Sequence, residues 1–560
     1  MKTAEDRRKE QRDEELVLAT MRLFSQLQGV RNTFASHWEE IAQLIQPTSR
    51  NTFYYGNQNT PGEKKTDKQV DATGMMALSR FGAICDSLLT PRNMTWHHLG
   101  SNLEYLMKDR ATRLWFEHAT KQLFRYRYAP IANFSSQNQN VYQGLGAYGT
   151  SSIFIDKPSG GKGLRYKALP LGETFFYENH QGIIVGMVRW FRLTAMQAAR
   201  VPEWKDSLPE EIKLAAEKNS QHMFDFIHHV GPRDDYDPEA LMTPQGKEFQ
   251  SCWISISGKK LLAEEGYYSF PVAATRYDQT PGDGPYGRGP AMMVLPALKT
   301  LNAQKKVFLK QGHRAADPVL LTADDGLTDG FSLRPGAMNK GGWSSDGKPL
   351  IGTLPTGDIQ ISKEMMADEK ALINDAFLVT LFQILTETPT MTATEVIERT
   401  NEKGILLAPT VGRQQSEYLG PMIDRELDLL MQQGLIDPMP GLLKEAEGDY
   451  TVVYTSPMAK AMRAQEAAGL QRSVGWTAEV VKITGDVSLM DIYDFDVAGP
   501  EMADIHGVPP SWMADPEKIA QRRQQRAQAQ QKQEQIQAAP AAAAMTKAMV
   551  AAKESGALPE

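Results

Sequence analysis

Residues 386–400 read TETPTMTATEVIERT, with helix-like apolar spacing on both sides. Thr392 and Glu395 stand as an S/T-x-x-E capping box, in which each side chain satisfies the other residue's free backbone N–H. Met391 before the cap and Val396 after it have the spacing of a hydrophobic staple. Pro389 blocks a helix arriving from upstream, and Thr388 before it is biased toward extended backbone. The chain is therefore expected to stop one helix, make a short polar excursion and pin the start of the next. An ordinary helix–helix loop would satisfy the same pattern.

Working outward, Ser362 is a good N-cap for a helix reaching about Leu385, with Met366, Ile373, Phe377 and Ile384 on one face. Its roughly 24 residues would span about 36 Å. Residues 315–358 are rich in Gly, Pro and Asp, with a short strand candidate in PVLLT. Before them a helix is expected from Pro290 to about Gly312. Arg288, Lys299, Lys305, Lys306, Lys310 and Arg314 lie in or beside it, with no acidic residue in that span. Two long helices bracketing a compact insertion predict a hairpin with an elaborated tip. Downstream, helix is expected from Ala393, then an interruption at LAPTVGR, then helix to Gln433 bent at Gly420–Pro421.

Toward the N-terminus, residues 3–46 read as two helices ended by Pro47, and residues 72–90 and 104–127 as two more. The period then shortens. SSIFID, LRYKALP, ETFFYE, GIIVGMVRWFRL, MFDFIHHV and FQSCWISIS read as strands separated by turns, which predicts an α+β region in a mainly helical protein. At the other end, nine of residues 521–537 are Gln and an Ala-rich segment follows, so a solvent-facing helix or disorder is expected there.

At 560 residues the chain exceeds one compact core. It is 41% hydrophobic and 23% charged, with no apolar run of membrane-spanning length, and its charged start predicts no signal peptide. Cys85 and Cys252 are expected as core thiols. A net charge of −7 argues against a conventional duplex-gripping protein, which needs a basic excess. It does not argue against a surface along which DNA slides.

Recognisable chemistry is sparse. GLGAYG at 144–149 matches the dinucleotide glycine pattern, but that mechanism needs a strand before it and a helix after. Here a strand candidate follows, so a tight helix-to-strand turn is expected. The P-loop pattern G-x-x-x-x-G-K-[ST] does not occur. ADDGLTDG at 323–330 lacks calcium-loop spacing, and the pairs His97–His98 and His228–His229 lack companion ligands. The reading is of no catalytic residue, no metal site and no cofactor. The basic residues of the first hairpin helix could face phosphates, face a protein partner, or form a solvated stripe.

Five blocks in order give the chain a resemblance to the head–tail connector, or portal, proteins of short-tailed bacteriophages. They are LGAYGTSSIFID, HHVGPRDDYDP, YGRGPAMMVLPALKTLN, PTMTATEVIERTNEKGILLAPTVGRQQSEYLGPMIDRELDLL and YTSPMAKAMRAQE. The resemblance implies a ring, typically of twelve subunits, at one capsid vertex of the virion, assembled in the host cytoplasm. Double-stranded DNA would pass through its channel. Terminase, tail or adaptor proteins, capsid and scaffold proteins would be partners, with no membrane involved. It also implies a layout: wing 1–285, first stem helix 286–314, clip 315–360, second stem helix 361–385, tunnel loop 386–392, further wing helices 393–455, crown 456–520 and a C-terminal tail 521–560. Glu387, Thr388, Pro389, Thr390, Met391 and Thr392 would then be the tunnel loop, with Thr392, Glu395 and Val396 fixing its base. Competing readings are a non-ring head component and, resting on GLGAYG alone, a dinucleotide-dependent enzyme.

Overall fold

The computed structural model describes residues 4–54, 62–322 except 159, 241–242, 281 and 283, 332–355 except 333 and 339–341, 359–380, 410–505 except 447 and 456, and short stretches between 508 and 547. The first of them form one helix, α1 (Ala4–Leu44), where two were expected. Val17, Phe24, Arg31 and Trp38 are buried at intervals of seven, with Ala35 and Ala42 beside them. One continuous stripe therefore faces the core. Gly29 lies on the exposed side of the helix, and a lone helical glycine costs only about 1 kcal/mol.

Helix α2 (Thr73–Leu89) is as expected and leads to strand β1 (His97–Gly100). The helix expected over 104–127 is split into α3 (Glu104–Lys108) and α4 (Arg110–Arg127). Asp109 makes the break: its backbone is extended and its carboxylate accepts from Thr112 N at 2.8 Å and Oγ1 at 2.7 Å. That is an N-cap, a signal stronger than helical continuity. Helix α5 (Phe134–Tyr148) follows.

Strands β2 (Thr150–Asp156), β3 (Arg165–Leu169), β4 (Thr174–Glu178), β5 (Ile184–Thr194), β6 (Met223–Pro232) and β7 (Phe249–Ser255) match the six strand candidates. Strands β8 (Lys260–Tyr267) and β9 (Val272–Arg276) add to them. They form an antiparallel five-stranded sheet, β4-β5-β6-β7-β8, and a three-stranded one, β3-β2-β9. The α+β class holds. Helix α1 crosses the larger sheet, with Phe24 edge-on to Phe175 at 4.9 Å over Val188, Trp190 and Ile227. Farther along, Trp38, Phe53, Tyr148 and Tyr286 close the main core.

Two short helices lie between β5 and β6, α6 (Ala195–Ala199) and α7 (Glu210–Glu217). After α8 (Pro290–Met293) comes the hairpin: α9 (Leu295–Ala316), the strand pair β10 (Leu320–Thr322) and β11 (Ile351–Thr353), and α10 (Ile359–Ala376). Helix α10 begins three residues before Ser362, so Ser362 lies inside the helix and is not its cap. It also ends short of Leu385, at Ala376, where Leu378 takes a left-handed φ of 61°. Phe377 and Val379 are both buried. Residues two apart on a helix face different ways, so the turn is what brings both inward. Residues 381–409 lie outside the described residues, and with them the tunnel-loop assignment, the Thr392–Glu395 box and the Met391–Val396 staple.

From Thr410 the chain is already helical, where LAPTVGR was expected to interrupt it. The expected distortion at Gly420–Pro421 is a π turn, Gln414–Leu419, running into α11 (Gly420–Gln432). Gly420 N–H donates to Gln415 O, five residues back, so the ladder widens just before a proline that cannot donate. A short helix, α12 (Gly441–Glu445), follows. Strand β12 (Thr451–Tyr454) returns to pair antiparallel with β1. Helices Pro457–Thr484 and Phe495–Ile505 come next, and residues 518–529 are helical and exposed, as the Gln-rich composition suggested.

Candidate functional site: the helical hairpin and its base

The base of the hairpin is built on the glycines that imitated a nucleotide motif. Helix α5 precedes them and strand β2 follows, so the order required for dinucleotide binding is reversed. Each glycine has a packing reason. A Cβ on Gly144 would sit 2.7 Å from Ser151 Oγ, and one on Gly146 would sit 2.7 Å from the Phe81 ring. Gly149 has φ +73°, and a Cβ there would lie 2.4 Å from the backbone of Arg288 and Gly289. Tyr277 N donates to Gly149 O at 2.9 Å, and Gly287 N donates to Thr150 Oγ1 at 2.7 Å. The α5–β2 turn thus straps down the entry to the hairpin.

The return path is gripped by Arg276 at the end of β9, which is almost fully buried. Its guanidinium donates to both carboxylate oxygens of Glu417 at 3.0 Å, to Gly182 O at 3.0 Å, and to Glu178. Gln414 Nε2 donates to Arg276 O at 3.0 Å, and Thr275 Oγ1 donates to Gln414 Oε1. A bidentate Arg–carboxylate pair fixes orientation as well as distance. The π turn is held on the sheet just downstream of residue 409. Sequence reading missed this clamp, whose only trace was the RQQSE run in the fourth resemblance block.

The hairpin itself is anchored unevenly. Leu295, Ala297, Leu298 and Leu301 are buried in the first half of α9, as are Met366 and Ile373 on α10 and Phe377 just past its end. Beyond Leu301, none of the described residues of α9 is buried. Lys299, Lys306, Lys310 and Arg314 recur at spacings of seven and four, so they share one face. Lys299 Nζ reaches Glu40 Oε2 on α1 at 2.5 Å. Nearby His37 has its pKa lowered by burial, with Glu40 opposing and Arg288 and Lys299 adding to the fall. Lys305 lies off this face, its ammonium 5.5 Å from the Phe308 ring. Lys306, Lys310 and Arg314 are exposed, and the last two border a groove of about 300 Å³ with Val307, Val319 and Leu354. The structure thus brings four of the five candidate cations together and sets Lys305 apart.

The histidine pairs are core features. His228 stacks on Trp253 with ring centroids 3.6 Å apart, and its Nε2 meets Ser251 Oγ at 2.9 Å. Burial, with Arg189 and His229 adding, drives its pKa well below the ordinary value. His97 is buried against Arg127. Cys252 is buried and Cys85 half-buried, and burial raises both thiols to about 12. Among the described residues no His, Cys, Asp and Glu group is arranged to hold a metal ion, and no helix is long and apolar enough to cross a membrane.

A family model described as bacteriophage head to tail connecting protein matches residues 19–513, most of the chain and the whole hairpin. The chain belongs to this family. Two relatives agree with the match. The probable portal protein of Bordetella phage BPP-1 is 26% identical over 92% of each chain, and the portal protein of Salmonella phage epsilon15 is 25% identical over 90% of each. The connector also aligns, at 13% identity and a TM-score of 0.34, with a chain in the neck of an empty gene transfer agent particle, covering 75% of this chain and 90% of that one. The connector is therefore a structural head-to-tail protein of a bacteriophage, and its conspicuous feature is the hairpin rather than a cleft.

Proposed function

We propose that the connector is the portal subunit of its phage: about twelve copies close into a ring through which double-stranded DNA is packaged and later ejected. It works without catalysis, at the head–tail junction of the virion. In this reading α9 and α10 are the stem, the β10–β11 insertion is the clip that meets terminase and then tail proteins, and the sheets with α1 form the wing. The helices after residue 456 are the crown. Residues 386–392 are the tunnel loop facing DNA, a segment whose Thr-rich composition offers weak neutral contacts while Glu387 repels phosphate.

The observation that carries the ring is unfilled apolar surface on the hairpin. Val307 is 61% exposed on α9, which buries none of its described residues beyond Leu301, and Leu372 and Met365 on α10 are 54% and 53% exposed. Burying each such side chain is worth about 1.5–3 kcal/mol, which a neighbouring copy would supply. The test is negative-stain imaging of the purified protein together with sedimentation. A ring with a central hole is expected. A stable monomer or dimer at every salt concentration would overturn the reading.

A further inference from the structure

We infer that the exposed basic face of α9 docks on the exposed acidic face of α10 of a second copy of this chain, so that the stem basics face a neighbour rather than DNA. The inference rests on the ring reading and names the contact that would close it. The two helices differ in charge: α9 has no acid, and α10, although it carries Lys363 and Lys370, keeps three of its four acids on a face free of them. Residues 288–314 contain no acid, whereas α10 carries Glu364, Asp368, Glu369 and Asp375. Glu364, Asp368 and Asp375 recur at spacings of four and seven and so share one face. That face is opposite the one buried through Met366 and Ile373. On α9, Lys306 and Lys310 likewise lie opposite the side on which Leu301 is buried and Phe308 packs against the core.

Each charged face thus points away from its own helix's packed side, and the hairpin presents a positive edge and a negative edge. Among the described residues, Lys306, Lys310, Asp368 and Asp375 make no ion pair within the chain. Apolar side chains accompany both faces, Val307 beside the lysines and Leu372 beside the aspartates. A single copy cannot join its own two edges. Head-to-tail contact between copies can, and an interface of that type closes into a ring when the rotation permits. Charge complementarity of this kind also fixes register and rejects the reversed orientation.

The experiment uses two full-length variants. Lys306→Glu/Lys310→Glu/Arg314→Glu makes both edges acidic, since Lys299 is already paired with Glu40, and Asp368→Lys/Asp375→Lys makes both basic. Each alone is expected to lose rings while keeping the wild-type circular dichroism spectrum. Mixed one to one at low salt, they are expected to restore rings in which the variants alternate, because every junction then joins opposite charges. Co-assembly also shows that both variants fold. If each variant alone forms rings as wild type does, or if the mixture stays unassembled, the inference is overturned while the wild-type rings still support the portal reading. If wild type forms no ring, both fall together.

Discussion

Arg127 and Glu426, 299 positions apart in sequence, meet with both side chains fully buried. Arg127 Nε donates to both carboxylate oxygens at 3.1 Å, Tyr166 Oη donates to Oε1 at 2.6 Å, and His97 Nε2 lies 2.9 Å from the guanidinium. The guanidinium also sits over the Trp96 and Phe124 rings at 4.6 and 4.9 Å. Burial is the largest single influence on the Arg127 pKa and lowers it, but the Glu426 charge and hydrogen bonds, with Tyr166 and Tyr128, together outweigh it, so the net shift is upward and the guanidinium stays charged. This cluster ties α4, β1 and β3 to α11, across the hairpin's point of insertion.

Removing one partner leaves the other charge buried and unpaired. Glu426→Gln is therefore expected to cost about 3–5 kcal/mol. The double change Arg127→Met/Glu426→Leu should be less damaging than Glu426→Gln alone, because it removes both charges from the core. Chemical denaturation of wild type and the two variants measures this. A double variant at least as destabilised as Glu426→Gln would mean that the unpaired buried charge is not what makes the single change costly.

Acid should weaken the larger sheet through His229. Burial lowers its pKa from 6.5 to about 4, and its Nε2 lies 3.1 Å from Tyr177 Oη. Above pH 6.5 the ring is neutral in folded and unfolded chains, and the full stability is present. As pH falls toward 4, the unfolded chain takes up the proton first, so stability drops by up to about 3 kcal/mol from this residue. His229→Gln should flatten the fall in melting temperature between pH 6.5 and 4 relative to wild type. An unchanged slope would show that the histidine does not titrate on unfolding.

Gly149→Ala should be destabilising by more than about 1 kcal/mol, since alanine at positive φ is strained and its Cβ would press on the backbone at Arg288–Gly289. The damage should fall on the hairpin entry. Proteolysis near residues 286–294 is expected to accelerate before the rest of the chain is cut. Uniform cutting would place the role of Gly149 elsewhere.

What the sequence made legible follows from how local each signal is. Alternation marked six strands, because a half-buried antiparallel strand writes its pattern in its own residues. Strands β8 and β9 escaped: KLLAEEGY mixes charge into its pattern, and VAATR is buried at all five positions and so shows no alternation. Helix ends depended on non-local packing. Ser362 looked like a cap until α10 extended past it, and the turn at Leu378 exists to bury Phe377 and Val379. At the site, the basic run on α9 was readable as composition, but which cations share a face required the helix itself. The Arg276–Glu417 clamp joins residues 141 apart, beyond any motif's reach.

The tunnel-loop proposal makes a prediction that separates function from folding. Glu387, Thr388, Pro389 and Thr390 are polar or turn-forming residue types, and an S/T-x-x-E pattern, Thr392 to Glu395, follows them in the sequence. Under that proposal, replacing Glu387–Thr390 by Gly and Ser should barely move the melting temperature, because a tunnel loop would contribute little burial. It should nonetheless change how much DNA is packaged or retained in assembled particles. Thr392→Ala should behave in the opposite way and cost about 0.5–2 kcal/mol through the lost cap. Calorimetry of the purified variants and DNA content of particles carrying them give the two readouts. If the loop replacement unfolds the protein while surviving particles package normally, residues 387–390 are a packing element, and the part of the connector that meets moving DNA has to be sought elsewhere.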